Sequence, residues 1–307
     1  GLRQFVTWYP RHVSENPGCN MYKSIVTEIV KRQKPKLLLI NASAFSYCNS
    51  NLTDEVYLRK WIDNMPMSQN KLDTVKTIPK NINNDDEKVK DNISDTLYFP
   101  LEKYHGNWKA PEAVYTSFVT RAYMRLSGGG YLKGFYSKTG ITGGRDNLAN
   151  IGQPTKEAYV LTDECRAYLK ELLSYCNKLG IEHVLLLQPP HETQAADKSG
   201  LEQIESITRE YGYDFLDLST DYESIAGIDD SHDFADFEHL NAYGAKKLTA
   251  YIGDMAVNQY GIKSDTAKSE LSRWKKSVKR TKKALKMAGE YTDRGEAQVV
   301  GEYEAAK

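Results

Sequence analysis

The stretch TDECRAYLKELLSYCNKLGIEHVLLLQPP, residues 162–190, decides the fold class. Its first half has apolar residues at helical spacing, with Thr162 placed as an N-cap and Gly180 as a C-terminal stop. Its second half, 181–190, is a short apolar run ended by two prolines, which is typical of a strand buried in a parallel sheet. A helix that leads into a buried strand is the repeating unit of an α/β protein.

The same alternation continues on both sides of this stretch. A helical pattern at 22–33 precedes the apolar run KPKLLLIN at 34–41. Downstream, a predicted helix at 199–211 leads to a strand at 213–219, and a last helix is predicted at 242–257. We therefore predict an α/β fold with a parallel sheet and helices on both faces, whose ligands bind at the carboxyl ends of the strands.

The pattern divides the chain into a main domain and a C-terminal extension. The domain spans 1–262 and includes short surface helices at 54–65 and 68–78. An irregular insertion, about 81–150, has many aromatic residues and glycines but no sustained period. The remainder, 263–307, is predicted to be a basic helix followed by a tail that frays beyond Gly289.

Charge is distributed unevenly along a chain whose net charge is zero. Between 263 and 286 there are ten Lys or Arg and two acidic residues, so the rest of the chain is acidic, which argues against a nucleic-acid-binding body. Two interpretations of 263–288 stay open. One is a solvated helix that packs a narrow apolar stripe on the domain, and the other is a helix held against anionic membrane or wall polymer. The predicted stripe consists of Leu271, Trp274, Val278 and Leu285.

The four cysteines, Cys19, Cys48, Cys165 and Cys176, have no C-x-x-C spacing, and we interpret them as small core residues rather than as disulfides. No apolar run approaches the roughly 20 residues that cross a bilayer. We expect no cofactor.

The acidic stretch at 229–239 precedes the last predicted helix and holds four Asp, one Glu and two His. Within it, Asp236 and His239 form D-x-x-H, a spacing at which a carboxylate can hydrogen-bond the imidazole around a tight turn and leave the other ring nitrogen to accept a proton. The simplest alternative is a solvated loop that caps the helix. A further alternative is a metal site, built from His232 and Asp233 together with this pair; because no second ligand cluster is visible, we predict no metal.

The stretch DFADFEHLNAYGAKKLTAYI, 233–252, resembles the last sequence block of SGNH/GDSL-type hydrolases, especially the cell-surface branch that includes the DltD-like proteins. In that branch, D-x-x-H is followed by a leucine, a small polar residue and a glycine. The stretches KRQKPKLLLIN, IDNMPMSQNKLDTVKTI, YHGNW and KGFY are similar to those of bacterial surface SGNH proteins. The resemblance covers roughly 20–260 and implies a three-layer, flavodoxin-like fold.

The resemblance also implies a Ser–His–Asp triad in which Asp236 orients His239. The family's serine follows its first strand in a G-x-S setting that this sequence lacks. Ser14, in HVSENPG, follows no strand, and Ser43, in INASAF, occupies the place of the family's oxyanion block. We therefore expect the first strand and the nucleophile upstream of Gly1. Ser43 as nucleophile, or a chain with no nucleophile, remain alternatives.

Four further residues are candidates for the oxyanion site or the cleft. Asn41 ends a strand where the family places an oxyanion donor, although an Asn at that position can also bond to its own turn. His105 and Trp108 lie in an aromatic stretch that could line a sugar-binding cleft or the edge of the core, and His191 follows the strand in 181–190 as a cleft residue or a solvated loop residue.

The function that the resemblance implies is a serine-type esterase or O-acyltransferase that acts on an acyl ester of a cell-surface carbohydrate or cell-wall polymer. It further implies an extracytoplasmic protein, anchored to the membrane by a segment upstream of Gly1. The alternative is a non-catalytic surface protein of the same fold that binds polysaccharide or a protein partner.

Overall fold

The structure is a computed structural model that describes residues 18–46, 55–63, 65–78, 93–98, 137–143, 158–190, 197–236, 239–263, 268–296 and 299–300. The helices are α1 (Tyr22–Val30), α2 (Ser43–Ser46), α3 (Glu55–Ile62), α4 (Gln69–Lys76), α5 (Ile93–Tyr98), α6 (Asp163–Lys178), α7 (Ser199–Glu210), α8 (Tyr222–Ala226), α9 (Ala242–Asn258) and α10 (Lys268–Asp293). The strands are β1 (Leu37–Asn41), β2 (Ser137–Lys138), β3 (His183–Gln188), β4 (Asp214–Asp217), β5 (Phe234–Asp236), β6 (His239–Leu240) and β7 (Val299–Val300).

The central sheet has three parallel strands in the order β1–β3–β4. Leu37 lies opposite His183, and Leu185 lies opposite Asp214, so the three strands run together and end at one edge. The prediction of a mixed α/β fold with a parallel sheet is confirmed.

Alternate side chains of the sheet contribute to two separate parts of the core. Leu38, Ile40 and Leu186 lie in a cluster with residues of α1, α6 and α7. Leu37 and Leu185 lie in a second cluster, with residues of α8 and α9. Helices therefore pack on both faces of the sheet. Because Leu186 is fully buried, its truncation to alanine should cost about 2–5 kcal/mol.

The structure confirms the predicted N-cap and C-terminal stop of α6. Thr162 is the N-cap and accepts a hydrogen bond from the backbone N–H of Cys165 at 3.2 Å. Gly180 follows the helix with φ +66°, a left-handed conformation that glycine adopts at little cost. Cys165 and Cys176 are both fully buried on this helix, as predicted for small core residues.

The predicted short helices at 54–65 and 68–78 are confirmed as α3 and α4, and they enclose a polar network beside α1. The buried Ser24 hydroxyl accepts a hydrogen bond from Trp61 Nε1 at 3.1 Å and lies 2.9 Å from Thr74 Oγ1, whose own hydrogen is directed to the carbonyl oxygen of Asn70. Nearby, burial raises the pKa of the Glu28 carboxyl, but hydrogen bonds from Lys31 and Asn70 outweigh burial, and the net pKa lies below its usual value. Glu28 is therefore held as a carboxylate in the fold.

The C-terminal helix differs from the sequence prediction in its buried stripe and in its end. Val278, which we expected to face the domain, is 40% exposed, whereas Ala284 and Ala288 are fully buried against Ala242 of α9. The small alanines allow the two helices to approach closely, which an apolar pattern of large residues does not reveal. The helix continues past Gly289 to Asp293, and β7 pairs with β2, so the segment where we expected fraying is held by the domain.

Most of the predicted insertion at 81–150 lies outside the described residues, but 93–98 and 137–143 are described and contain α5 and β2. In the part of the chain that the structure covers, no helix combines the length and apolar character that a membrane span needs.

Candidate functional site

The D-x-x-H residues face each other across a small antiparallel pair of strands. Asp236 ends β5, His239 begins β6, and the two are direct cross-strand partners. Asp236 Oδ1 lies 2.7 Å from His239 Nδ1, so the predicted carboxylate–imidazole hydrogen bond is confirmed. With Nδ1–H donating to the carboxylate, the neutral ring keeps its lone pair on Nε2.

The pair is open to solvent on one side. The side chains of Asp236 and His239 are 37% and 43% exposed. Nε2 of His239 makes no hydrogen bond to any residue that the structure describes. An oriented imidazole with an available Nε2 is the arrangement that a general base needs.

Lys138 completes the site, and the sequence analysis missed it. Its Nζ lies 2.8 Å from Asp236 Oδ2 and 3.0 Å from His239 Nδ1. With the imidazole proton on Nδ1 and directed to Oδ1, the Lys138 ammonium, which only donates, bonds to Oδ2 and contacts Nδ1 without a hydrogen bond to it. Within the described part of the chain, Asp236 thus accepts from His239 at one carboxylate oxygen and from Lys138 at the other. A lysine in an irregular segment about a hundred residues upstream gives no local signal; the only hint is the glycine-rich turn that follows it, in which Gly140 has φ +101°.

Asn241 joins the segment of Lys138 to the acidic loop and to α9. Its side chain is the N-cap of α9, accepting from the backbone N–H groups of Tyr243 at 2.9 Å and Gly244 at 3.2 Å. Its Nδ2 donates to the carbonyl oxygens of Gly140 at 3.1 Å and His232 at 2.6 Å. The residue is fully buried. It is therefore the N-cap of α9, and within the described residues Asp236 and His239 bond to each other and to Lys138.

The other carboxylates of the acidic loop have structural partners. Asp233 is fully buried, and its Oδ2 accepts from Lys247 Nζ at 2.6 Å and from the backbone N–H of Asp229 at 2.7 Å. Its Oδ1 lies 3.0 Å from His232 Nδ1. Hydrogen bonds from the Ser231 hydroxyl and backbone N–H lower the pKa of the Asp229 carboxyl. The loop is thus a folded structural element.

These contacts bear on the alternative of a metal site. Asp233 and Asp236 are engaged by different lysines, Lys247 and Lys138. Among the residues that the structure describes, no group of three or more His, Cys, Asp or Glu side chains is arranged to hold a metal ion.

Gly244 fits the close approach between α9 and the loop. A Cβ at this position would lie 2.4 Å from the carbonyl oxygen of Asp233 and 2.9 Å from a methyl carbon of Leu240. Only a residue without a side chain lets the helix start so close to the loop.

Asn41 and Ser43 form a turn at the end of β1. The Asn41 Oδ1 accepts from the Ser43 backbone N–H at 2.9 Å and from the Ser43 hydroxyl at 2.6 Å. The structure therefore places the Ser43 hydroxyl on a carboxamide oxygen and does not pair it with His239. With its oxygen engaged, Asn41 keeps its Nδ2 as a donor, which makes no hydrogen bond to the described residues.

Buried polar groups collect beyond the carboxyl ends of the strands. Gln188 Oε1, at the end of β3, and Ser219 Oγ, just after β4, are buried and have no hydrogen-bond partner among the described residues. The same holds for Ser46 Oγ, in the helix that follows β1. A parallel sheet typically builds its ligand site at this edge. Phe234, which starts β5, lies in the core cluster of Leu187 and Leu218 from the same end of the sheet.

No protein-family model, curated protein or solved structure matches this chain. Four of the candidate residues, Ser14, His105, Trp108 and His191, lie outside the described residues.

Proposed function

We propose that the protein is a serine-type ester hydrolase or O-acyltransferase in which His239 is the general base and Asp236 orients it. The observation that carries this proposal is the 2.7 Å bond from His239 Nδ1 to Asp236 in a pair that is partly open to solvent. The bond fixes the tautomer in which Nε2 can accept the proton of a nucleophilic hydroxyl.

In the proposed reaction, His239 Nε2 takes the proton from a serine hydroxyl as that oxygen attacks the ester carbonyl. The imidazolium then gives the proton to the leaving alcohol, and the acyl-serine is released to water or to a carbohydrate hydroxyl. Asp236 stabilises the imidazolium during both steps. The serine is a residue outside those that the structure describes.

Two further residues have positioning or electrostatic roles in this proposal. Lys138 holds the second oxygen of Asp236, which restricts rotation of the carboxylate and so of His239. Asn41 would donate its Nδ2–H to the negative charge that develops on the carbonyl oxygen, because its own turn fixes its amide.

We further propose that the fold is the three-layer, flavodoxin-like arrangement of the SGNH hydrolases. Support comes from the strand order β1–β3–β4 and from helices on both faces of the sheet. In this proposal the fold's first strand adds to the edge of β1 that does not face β3.

The proposed substrate is an acyl ester of a cell-surface carbohydrate or wall polymer, and α10 would contact anionic membrane or wall polymer in an extracytoplasmic, membrane-anchored protein. Six lysines of α10 are exposed, which supports the contact: Lys275, Lys276, Lys279, Lys282, Lys283 and Lys286. Binding to vesicles with anionic lipid should exceed binding to neutral vesicles and weaken as salt is raised. Equal binding to both vesicles would contradict the membrane contact.

A non-catalytic binding protein of the same fold is the second candidate. It is favoured by the fact that no serine hydroxyl contacts His239 Nε2 within the described residues.

Two measurements on the full chain distinguish these functions: labelling by a fluorophosphonate probe, and hydrolysis of an aryl acetate ester. His232→Ala is a matched control for His239→Ala, because the two histidines lie seven residues apart, are 42% and 43% exposed, and each contact a carboxylate. We expect His239→Ala to lower kcat/KM by about 10²- to 10⁴-fold and His232→Ala to leave it within about threefold. Equal effects of the two substitutions, or labelling and turnover that survive His239→Ala, would contradict the catalytic assignment. A full chain that binds polysaccharide but neither reacts with the probe nor hydrolyses the ester would support the binding protein.

A further inference from the structure

Two cysteines that are far apart in sequence meet in the core. Cys19 Sγ and Cys165 Sγ are 3.4 Å apart, although 146 residues separate them along the chain. Their exposed fractions are 2% and 0%. A disulfide bond is about 2.0 Å long, so the two sulfur atoms need to approach by only about 1.4 Å to form one.

The elements that carry the two cysteines are also joined elsewhere. Cys19 opens the 3₁₀ turn Cys19–Met21, which leads directly into α1, and Cys165 lies in the first turn of α6. Farther along, the Tyr175 hydroxyl of α6 lies 3.1 Å from Thr27 Oγ1 of α1, which donates its own hydrogen to the carbonyl oxygen of Lys23 and can accept one from Tyr175. The two helices are therefore fixed at a second point, which holds the sulfur atoms close together.

The hydrogen bond between the two thiols also favours the thiolate form of Cys165 over that of Cys19. A hydrogen bond from the Cys19 thiol, followed by one from the Thr162 hydroxyl, lowers the pKa of Cys165, although burial opposes this shift. The hydrogen bond with Cys165 raises the pKa of Cys19, and burial adds to that increase. Cys176, on the same helix, has its pKa raised to about 12 by burial. Because the thiolate is the reactive form, Cys165 is suited to start an exchange and Cys176 is not.

We propose that Cys19 and Cys165 form a structural disulfide, made by exchange with a disulfide oxidant of the glutathione class. This inference is independent of the proposed esterase function and replaces the expectation that all four cysteines are only small core residues.

The exchange balances with oxidised glutathione as the oxidant. The Cys165 thiolate attacks one glutathione sulfur, forms a mixed disulfide and releases one glutathione thiolate. The Cys19 thiolate then attacks Cys165 Sγ, which forms the protein disulfide and releases the second glutathione. The protein loses two electrons and two protons, and oxidised glutathione becomes two molecules of reduced glutathione.

Burial determines when the oxidant can reach the pair. In the folded chain both sulfur atoms are enclosed, so exchange requires the 3₁₀ turn to open or the chain to be still folding. We therefore expect the disulfide to form faster during refolding than in the native protein at the same concentration of oxidant.

Trypsin separates the four cysteines, because Cys19, Cys48, Cys165 and Cys176 fall on peptides 12–23, 37–59, 157–166 and 171–178. The full chain is refolded with a mixture of reduced and oxidised glutathione, alkylated under denaturing conditions and digested. We expect a linked pair of peptides 12–23 and 157–166, lighter by two hydrogen atoms than the sum of the reduced peptides. Alkylation of these two peptides should fall at least about tenfold below that of 171–178.

Two variants make the test specific. Cys176→Ala should leave the cross-link unchanged, and Cys19→Ala should stop the reaction at the mixed disulfide of Cys165 with glutathione. Alkylation of Cys19 and Cys165 to the same extent as Cys176, or a cross-link that joins either of them to Cys48, would overturn the proposal.

Discussion

Asn241 joins the segment of Lys138 and the acidic loop to α9, so substitutions of Asn241 measure how much these bonds contribute to the stability of the protein. Replacing it with serine keeps a side-chain oxygen for the N-cap but removes the Nδ2 group that bonds to the carbonyl oxygens of Gly140 and His232. Each carbonyl left without a donor costs about 1–3 kcal/mol when it is buried, and water can reach part of this region, so we expect a loss of about 2–4 kcal/mol. Asn241→Ala also removes the cap, which adds about 1 kcal/mol.

The assay is urea unfolding followed by tryptophan fluorescence and by circular dichroism, with the loss of stability taken from the shift in the midpoint. Asn258→Ala is the control, because Asn258 lies at the other end of the same helix and its amide bonds to Asp254 on the exposed surface. It should change stability by less than about 0.5 kcal/mol. If Asn241→Ser and Asn241→Ala both cost less than about 1 kcal/mol, the two Nδ2 bonds do not hold the segments together and the reasoning fails.

Three further predictions address packing, the site and pH. Gly244→Ala should destabilise the protein by more than about 2 kcal/mol, because its Cβ would lie 2.4 Å from a backbone carbonyl oxygen. Gly253→Ala should stabilise the same helix by about 0.5–1 kcal/mol, because nothing lies within 4 Å of the new Cβ. Thermal melting of both variants checks this. Lys138→Met, which removes the donor to Asp236, should lower kcat/KM for an ester about tenfold and leave the unfolding midpoint nearly unchanged; an unaltered kcat/KM would exclude a positioning role. Because the fold lowers the pKa of Glu28, its stabilising contribution is present above the unfolded-state pKa and is lost as the pH falls through the lower folded-state value. The difference in urea midpoint between wild type and Glu28→Gln should therefore shrink from pH 7 to pH 3, and a constant difference would contradict this account.

The features that could be predicted from sequence are those encoded within one or two elements. The helix–strand unit of 162–190 has its periodicity, cap and stop in consecutive residues, and the structure places each of them as predicted. The bond between Asp236 and His239 was predictable for the same reason, because a tight turn between residues three apart brings their two side chains together. Whether that pair catalyses a reaction stays a prediction.

The features that were missed depend on contacts between distant segments. Lys138 reaches Asp236 only because β2 lies beside Asn241 and pairs with β7 at the other end of the chain. The buried stripe of α10 was assigned to large apolar residues; one of them, Leu285, packs against the contact with α9, but the residues fully buried there are Ala284 and Ala288. Neither the position of Lys138 nor the buried alanines can be predicted from a periodic pattern, because a single lysine has no period and alanine is common on any helix face.

The pairing of β2 with β7 also sets the order in which a newly synthesised chain can complete its site. The last strand of the three-strand sheet ends at Asp217, so the sheet can fold while later residues are still being added. The strand that carries Lys138, by contrast, pairs with Val300, and Gly140 donates its backbone N–H to Thr292. During synthesis, the Asp–His pair can therefore form before the lysine is fixed beside it, and the finished site requires that Val299 and Val300 have been added.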